Sequence, residues 1–281
     1  MNIVIIGSRG QLGTALQTQY PDARAADSDQ LDITDTAAVE AFDWSGVDVI
    51  LNAAAYTNVD GAETAEGRTA AWQVNAVGPA NLARVASRHG ITLLHISSDY
   101  VFDGTAAQHS ETEKFAPLGI YGQTKAAGDI VVSVAEKHYI LRTSWVIGEG
   151  KNFVRTMLSL AEKGISPTVV ADQVGRLTFT SELVRAIDHL LGSQAAYGTY
   201  NVSNDGEPSS WAAITREIFA LAGRDDLTVT DTTTEEYFAT KEGISPRPLQ
   251  STLSLDKLHA TGFTSVDWRT DLAEYVKKET A

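Results

Sequence analysis

The sequence predicts an α/β protein with a doubly wound parallel sheet and a smaller C-terminal domain. Short apolar runs of strand length alternate with helical segments through the first half, as in a parallel sheet covered by helices on both faces. A glycine-rich turn follows the first of these runs, which is where a Rossmann-like fold binds phosphate. At 281 residues the chain is long enough for one large domain and a smaller one.

The first half of the chain alternates regularly between the two kinds of element. Strands are predicted at residues 2–6, 23–26, 47–52, 92–97 and 139–142. Helices are predicted at about 11–20, 36–42, 69–89 and 125–136. This order favours parallel strands joined by crossover helices.

A glycine-rich turn joins the first predicted strand to the first helix. Gly7, Gly10 and Gly13 have the spacing G-x-x-G-x-x-G. In a dinucleotide-binding turn the first glycine permits the tight bend and the second lets the backbone approach a pyrophosphate. The third lets the helix pack closely on the sheet. The pyrophosphate would meet the amide groups at the positive end of the helix, so the turn predicts a nicotinamide dinucleotide.

The alternation loses regularity after about residue 147. Helices are predicted near 152–163, 180–191 and 211–222 and from about 268, with strand-like runs at 168–171 and 199–202. We therefore expect a dinucleotide-binding domain at 1–147, with returns from about 165–203. Residues 148–281 are expected to form most of a smaller, interleaved substrate-binding lid.

Ser98, Tyr121 and Lys125 form a candidate catalytic trio. The tyrosine and the lysine are four residues apart, so they would share one face of a helix. A neighbouring ammonium group is expected to lower the pKa of the Tyr121 phenol, which could then exchange a proton nearer to neutral pH. The Ser98 hydroxyl would add a hydrogen bond to the reacting oxygen. The trio predicts proton transfer at a carbonyl or alcohol.

Composition excludes several classes of protein. The formal net charge of −14 argues against a nucleic-acid-binding surface. The chain has no cysteine, so it has neither a disulfide framework nor a thiolate zinc site. The opening apolar run at 3–6 is too short for a signal sequence or a membrane span. We expect a cytoplasmic protein without nucleic-acid or membrane partners.

Motifs along the whole chain resemble a known family. The glycine turn, the trio, NAAAYTNVDGAE and VNAVGPANLA are similar to the extended short-chain dehydrogenases/reductases. A closer resemblance, to the dTDP-4-dehydrorhamnose reductases, is carried by SSDYVFDG, RTSWVIG, DQVGRLT and RPLQSTLSLDKL. It implies reduction of the 4-keto group of dTDP-6-deoxy-L-lyxo-4-hexulose to dTDP-L-rhamnose with NADPH or NADH.

The resemblance implies a role for each member of the trio. Tyr121 would be the general acid that protonates the oxygen at C4 of the sugar. Lys125 would hold the nicotinamide ribose hydroxyls and lower the pKa of the tyrosine. Ser98 stands where the family usually has threonine, and either residue supplies the hydroxyl.

The resemblance also implies which residues bind the cofactor. These are Gly7, Ser8, Arg9, Gly10, Gln11, Leu12, Gly13, Asp32, Ile33, Ala53, Ala54, Ala55, Thr57, Tyr121 and Lys125. Arg9 is a candidate partner for a 2′-phosphate, which favours NADPH. Asp27, near the end of the second strand, would suit a free ribose 2′-hydroxyl and so favours NADH. We expect NADPH, with NADH as the alternative.

Substrate and metal contacts are implied in the same way. The substrate residues are Val59, Ser98, Tyr100, Tyr121, Trp145 and Arg247. Arg247 would hold the diphosphate, because a guanidinium fork fits phosphate oxygens; Arg176 and Asn152 are further candidates. Glu182 matches a position involved in magnesium-linked dimers of some family members. A homodimer is possible, and Mg²⁺ is possible but unassigned.

Two alternatives stay open at this point. One is a non-catalytic dinucleotide-binding regulatory subunit, of the type found with methionine adenosyltransferase, although such a subunit has no need of an intact trio. The other is a reductase or epimerase of a different nucleotide-sugar. Asp99 is followed by Tyr100 and not by a second acid. The acid pair of the sugar-nucleotide 4,6-dehydratases is thus missing, which favours reduction over dehydration.

Overall fold

A six-stranded parallel sheet forms the centre of the computed structural model, which describes residues 1–281. Its strands lie in the order β10-β5-β4-β3-β1-β2. Their bounds are β1 Ile3–Ile6, β2 Arg24–Ala26, β3 Val49–Asn52, β4 Thr92–Ser98, β5 His138–Thr143 and β10 Gly198–Asn201. The order reverses between β1 and β3, so the carboxyl ends of these strands border a crevice at the switch point. The predicted Rossmann-like fold class is confirmed.

Helices cover both faces of this sheet. The helices of the whole chain are α1 Gln11–Gln19, α2 Thr36–Ala41, α3 Ala65–Trp72, α4 Gly78–His89, α5 Ile120–Val132, α6 Phe153–Glu162, α7 Thr180–Gly192, α8 Trp211–Leu221, α9 Thr234–Phe238, α10 Asp256–His259 and α11 Trp268–Glu279. Ile3 and Ile5 of β1 pack with α1 and α7, whereas Val4 and Ile6 pack with α2 and α4. Successive side chains of a strand point to opposite faces, so β1 contributes to two separate cores.

The second half of the chain adds a third hydrophobic cluster and three small strand pairs. The cluster is formed mainly by α6, α8 and α11, with Trp268 fully buried in it. The strands are β6 Val146–Ile147, β7 Thr168–Val170, β8 Val174–Gly175, β9 Thr178–Phe179, β11 Ser209–Ser210 and β12 Thr230–Thr232, paired as β6–β9, β7–β12 and β8–β11. β7 corresponds to the strand-like run predicted at 168–171, and most of the other five are too short to show a two-residue period. The division into 1–147 and 148–281 stays a prediction.

The long helix expected at 69–89 is interrupted. α3 begins at Ala65, a π-helical turn occupies Gln73–Val77, and α4 continues from Gly78. Buried Asn75 holds this turn, since it accepts the amide of Tyr56 at 2.8 Å and donates to Thr124 Oγ1 at 3.0 Å. Such turns often mark functional sites, and this one faces α5.

The helix expected at 125–136 begins at Ile120 and ends at Val132. The amide of Ile120 donates to Glu63 Oε1 at 2.9 Å. A carboxylate from a distant segment therefore satisfies the start of α5, and no local capping residue marks it in the sequence. The earlier start places Tyr121 in the first turn of the helix.

The glycine turn packs as closely as its spacing predicts. Gly7 has φ +75°, and a Cβ there would lie 2.6 Å from the backbone of Ala54. A Cβ at Gly13 would lie 2.1 Å from the Gly7 carbonyl oxygen. At Gly10 the nearest atom would be that oxygen at 3.4 Å, so the space beside Gly10 is open. Gly7 and Gly13 thus serve packing, and Gly10 leaves room for a ligand.

This difference between the glycines predicts that substitution destabilises the fold more at Gly13 than at Gly10. Gly13→Ala should lower the free energy of unfolding by roughly 2–3 kcal/mol, because backbone must move to admit the methyl group. Gly10→Ala should lower it by less than about 1 kcal/mol. Urea unfolding of both variants measures the difference. Equal stability of the two variants would show that the turn relaxes around position 13.

Candidate functional site

Two adjoining cavities lie at the carboxyl ends of the strands. The main cavity has a volume of about 690 Å³ and the side cavity about 380 Å³. Arg9, Gly10, Ala53 and Ala55 line both, so the two meet at the glycine turn. Together they form a continuous crevice at the switch point of the sheet, where open α/β sheets bind ligands.

The structure brings the candidate trio together in the main cavity. Ser98 ends β4, Tyr121 and Lys125 project from α5, and all three line the cavity. Lys125 Nζ donates a hydrogen bond to the Ile96 carbonyl at 2.6 Å. Ser98 Oγ donates to Asp99 Oδ1 at 2.8 Å. The arrangement places a phenol, a hydroxyl and an ammonium group around one space.

The environment of Tyr121 keeps its phenol protonated. Burial and the nearby carboxyl of Asp99 raise its pKa to about 12, and hydrogen bonding with Ser98 opposes them. The expectation that Lys125 lowers the pKa of Tyr121 is therefore wrong for this structure. The physical reason is that the ammonium group bonds the Ile96 carbonyl, while the loss of water around the phenol penalises its anion.

Lys125 lies above a buried ion pair. Burial lowers the pKa of Lys125 to about 8, and the carboxylate of Asp129, one helical turn away, opposes that shift. Asp129 Oδ2 accepts from Arg142 Nε at 2.9 Å, and both side chains are buried. Arg142 thus compensates the charge of Asp129, and Asp129 supports the charge of Lys125.

Asp99 was not predicted as a member of the site. It lines the main cavity, is buried, and accepts the Ser98 hydroxyl. Burial raises its pKa to about 6 from 3.8, with the Ser98 hydrogen bond opposing the rise. The sequence signal that could have placed Asp99 in the site was its position directly after Ser98, at the end of a buried strand.

Other lining residues of the main cavity were also missed. They are Ile96, Ser97, Thr143, Ser144, Val146, Glu149, Gly150, Lys151 and Leu183. Thr143 and Ser144 stand at the carboxyl end of β5, beside the strand that carries Ser98. Because the carboxyl ends of adjacent parallel strands border the ligand crevice, polar residues there could have predicted Thr143 and Ser144 as lining residues.

Most of the predicted cofactor residues surround the two cavities. Gln11, Leu12 and Thr57 line the main cavity, whereas Gly7, Asp32, Ile33 and Ala54 line the side cavity. Ser8 and Gly13 line neither. Ser8 is buried behind the turn, and Gly13 is in contact with its backbone.

Arg9 and Asp27 line the side cavity, and Asp29 pairs with Arg9. The backbone amide of Arg9 donates to Asp27 Oδ2 at 3.0 Å, and the Arg9 guanidinium pairs with Asp29. Both side chains of the Arg9–Asp29 pair are more than half exposed. An exposed pair of this kind contributes little to stability, so Arg9 can exchange its partner at small cost.

Five of the six predicted substrate residues line the main cavity: Val59, Tyr100 and Trp145, together with Ser98 and Tyr121 of the trio. The ring of Tyr100 meets that of Tyr121 edge-on, with centroids 5.4 Å apart. Trp145 stacks on Trp211 at 3.7 Å and has a left-handed backbone with φ +47°. This backbone conformation is strained for a bulky residue, and such strain clusters at functional sites.

The candidates for the substrate diphosphate lie outside the cavity lining. Arg247 forms two hydrogen bonds with the Asp60 carboxylate, at 2.7 and 2.8 Å, directly beside the lining residue Val59. Asn152 accepts the amide of Arg155 as the cap of α6. Arg176 lies 3.7 Å from Asp205. Of these three, Arg247 is the one whose carboxylate partner follows a cavity-lining residue in the chain.

Glu182 and His95 have structural partners outside the main cavity. Glu182 is buried, pairs with Arg185 and accepts the amide of Val266, and burial raises its pKa to about 7. His95 is buried with its Nδ1 3.0 Å from Asn52 Nδ2. No group of three His, Asp or Glu side chains is arranged to hold a metal ion.

None of the helices has the length and apolar character needed to cross a bilayer.

Comparison with known proteins places the chain in a family. The family model described as the RmlD substrate binding domain matches residues 1–281. The chain is 37% identical to a dTDP-4-dehydrorhamnose reductase from Aggregatibacter actinomycetemcomitans, over 95% of each chain. The chain belongs to the dTDP-4-dehydrorhamnose reductase family. The family predicted from the sequence motifs is confirmed.

Solved structures of dTDP-4-dehydrorhamnose reductases share the whole fold. One from Clostridium acetobutylicum has 37% sequence identity and a TM-score of 0.93, with full coverage of both chains. One from Bacillus anthracis, in complex with NADP, has 34% identity, a TM-score of 0.89 and full coverage of both chains. This reductase fold therefore extends over residues 1–281.

Burial of Asp99 predicts a pH-dependent cost to stability. A pKa raised from 3.8 to about 6 means that the folded state binds the proton more tightly than the unfolded state. The protonated Asp99 carboxyl therefore contributes its full stability below about pH 4, and this contribution is lost as pH rises through about 6. Asp99→Asn should therefore gain roughly 2–3 kcal/mol over wild type at pH 8 and much less at pH 4.5. Urea unfolding at the two pH values measures it.

Asp103 provides the control. Its exposed carboxyl has a lowered pKa, because Thr105 donates hydrogen bonds to it, so its pH dependence has the opposite sign. Asp103→Asn should not gain stability at pH 8. A pH-independent difference between Asp99→Asn and wild type would contradict the assignment.

Proposed function

We propose that this chain reduces the 4-keto group of dTDP-6-deoxy-L-lyxo-4-hexulose to give dTDP-L-rhamnose, with NADPH or NADH as the reductant. One observation carries the proposal. Ser98, Tyr121 and Lys125 meet in a cavity that continues to the glycine turn. Membership of the reductase family supports the same reaction.

The residues at the turn fit a nicotinamide dinucleotide. The space beside Gly10 is open, and the buried Oε1 of Gln11 has no hydrogen-bond partner. Backbone amides at the start of α1 would hold the pyrophosphate. Asp32 and Ile33 would flank the adenine, and residues 53–55 with Thr57 would line the ribose and nicotinamide. The bound nicotinamide supplies the hydride that reduces the carbonyl carbon.

Tyr121 donates the proton that completes the alcohol. A phenol with a pKa of about 12 is protonated at neutral pH, as a proton donor must be. Ser98 gives a hydrogen bond to the same sugar oxygen, for which its hydroxyl turns away from Asp99. Lys125 holds the nicotinamide ribose hydroxyls. The carbonyl thus gains one hydride and one proton.

The deoxysugar lies against apolar faces in this proposal. Tyr100 and Trp145 offer aromatic surface with a polar edge, and Val59 closes the wall. Arg247 is proposed for the diphosphate, with Asp60 holding its guanidinium toward this side of the cavity. Mg²⁺ binding and a homodimer stay predictions.

Tyr121→Phe tests the reaction and its proton donor together. The variant should lose at least about 100-fold in kcat, because the donor of the proton is gone. Its dissociation constant for NADPH should stay within about threefold of wild type. Nicotinamide absorbance is followed with enzymatically made dTDP-6-deoxy-L-lyxo-4-hexulose, and dinucleotide binding is measured separately by fluorescence.

Tyr237→Phe, on exposed α9, is the matched control and should behave as wild type. Wild-type protein that binds NADPH and does not oxidise it with this substrate would refute the proposed sugar. A different keto-sugar nucleotide or a regulatory binding role would then take its place.

We further propose a preference for NADPH, which depends on Arg9. Release from the exposed Asp29 would let the guanidinium contact a 2′-phosphate, whereas Asp27 is occupied by the Arg9 and Ser28 amides. Arg9→Gln should weaken NADPH binding about tenfold and NADH binding less than about twofold. Fluorescence titration with each nucleotide measures this. An equal effect on both would mean that Arg9 does not recognise the 2′-phosphate.

A further inference from the structure

The loop 148–151 forms part of the wall of the main cavity and was absent from the sequence prediction of the site. Glu149, Gly150 and Lys151 all line the cavity. A Cβ placed at Gly148 would lie 3.1 Å from the Cβ of Gln11, the first residue of α1. The loop therefore packs against the helix start that would receive the dinucleotide pyrophosphate.

The C-terminal helix holds this loop in place. Tyr275 of α11 donates from its hydroxyl to the Gly148 carbonyl at 2.9 Å. Asn152 Nδ2 donates to the same carbonyl and to the Tyr275 hydroxyl, each at 2.8 Å. Glu149 pairs with Lys278 at 2.6 Å and with Arg155 at 2.7 Å. These contacts fix both ends of the short loop relative to α11.

Lys151 differs from the other cations of the main cavity, which are Arg9 and Lys125. Arg9 pairs with Asp29, and Lys125 is buried and bonded to the Ile96 carbonyl. Lys151 is exposed and makes no ion pair or side-chain hydrogen bond, while its neighbour Glu149 is neutralised by two partners. Its ammonium is free to meet an anion.

We propose that Lys151 is a phosphate-binding residue for the dinucleotide pyrophosphate, positioned by the contacts of α11 with the loop. The inference rests on the proposed function, because it takes the dinucleotide as the ligand of the turn. In a chain with a net charge of −14, a diphosphate must be held by a few local cations and backbone amides. Lys151 supplies such a cation, because it lines the cavity with Gly10 and pairs with none of the protein's own carboxylates.

Lys151→Gln is the test of this role. The dissociation constant for NADPH should rise about five- to tenfold at low salt, and the difference from wild type should shrink in 0.5 M NaCl, because salt screens an exposed charge. Fluorescence titration gives both constants without turnover. Lys163→Gln, an exposed lysine at the end of α6, is the control and should bind NADPH as wild type does.

A parallel titration with dTDP distinguishes the two diphosphates that could reach the cavity. Loss of dTDP affinity with unchanged NADPH affinity would overturn the assignment to the dinucleotide. If wild-type protein binds NADPH and Lys151→Gln binds it equally well, the role of Lys151 is refuted and the proposed function is unaffected. If wild-type protein bound no dinucleotide, the proposed function would fail as well.

Tyr275→Phe tests the positioning by α11. Loss of the hydroxyl that bonds Gly148 should raise the dissociation constant for NADPH two- to threefold while Lys151 is present. In the Lys151→Gln background the same change should have a smaller effect, because the loop then carries no ammonium group to position. Fully additive effects would show that Tyr275 acts independently of Lys151.

Discussion

The geometry of the proposed catalytic site depends on the close approach of α5 to its neighbours. A Cβ at Gly122 would lie 2.2 Å from the Tyr100 carbonyl oxygen, and one at Gly128 would lie 2.4 Å from that of Asn75. Only glycine fits at either position, so α5 lies directly against the segment after β4 and against the π-helical turn. This contact brings Tyr121 and Lys125 to Ser98 at the wall of the main cavity.

Burial of the titratable groups explains the electrostatics of the site. Burial penalises every charged form, so the phenol of Tyr121 and the carboxyl of Asp99 hold their protons to higher pH, and Lys125 gives up its proton at lower pH. The Asp129–Arg142 pair limits the last effect. A site that stores a proton on a phenol suits a reaction in which a carbonyl is reduced and its oxygen must be protonated.

Charge is distributed locally in this acidic protein. The ligands of the proposed reaction carry diphosphates, yet the chain has 36 acidic and 22 basic residues. Arg9 and Lys151 line the cavity on two different loops, and Arg247 stands beside it with Asp60. Arg9 and Lys151 are exposed, so an arriving phosphate competes there with a weak partner or with water, whereas Arg247 is held by two hydrogen bonds to Asp60.

The sequence by itself determined the parallel α/β fold, the glycine turn and the trio, because each depends on local spacing: apolar runs of strand length, glycines three apart, and a tyrosine one helical turn before a lysine. Only the tertiary structure decided where α5 begins, since Glu63 supplies its first acceptor from a distant segment. It also decided the protonation of Tyr121, the inclusion of Asp99, and the position of Lys151. These properties follow from burial and from contacts between residues far apart in the chain, which no local pattern records.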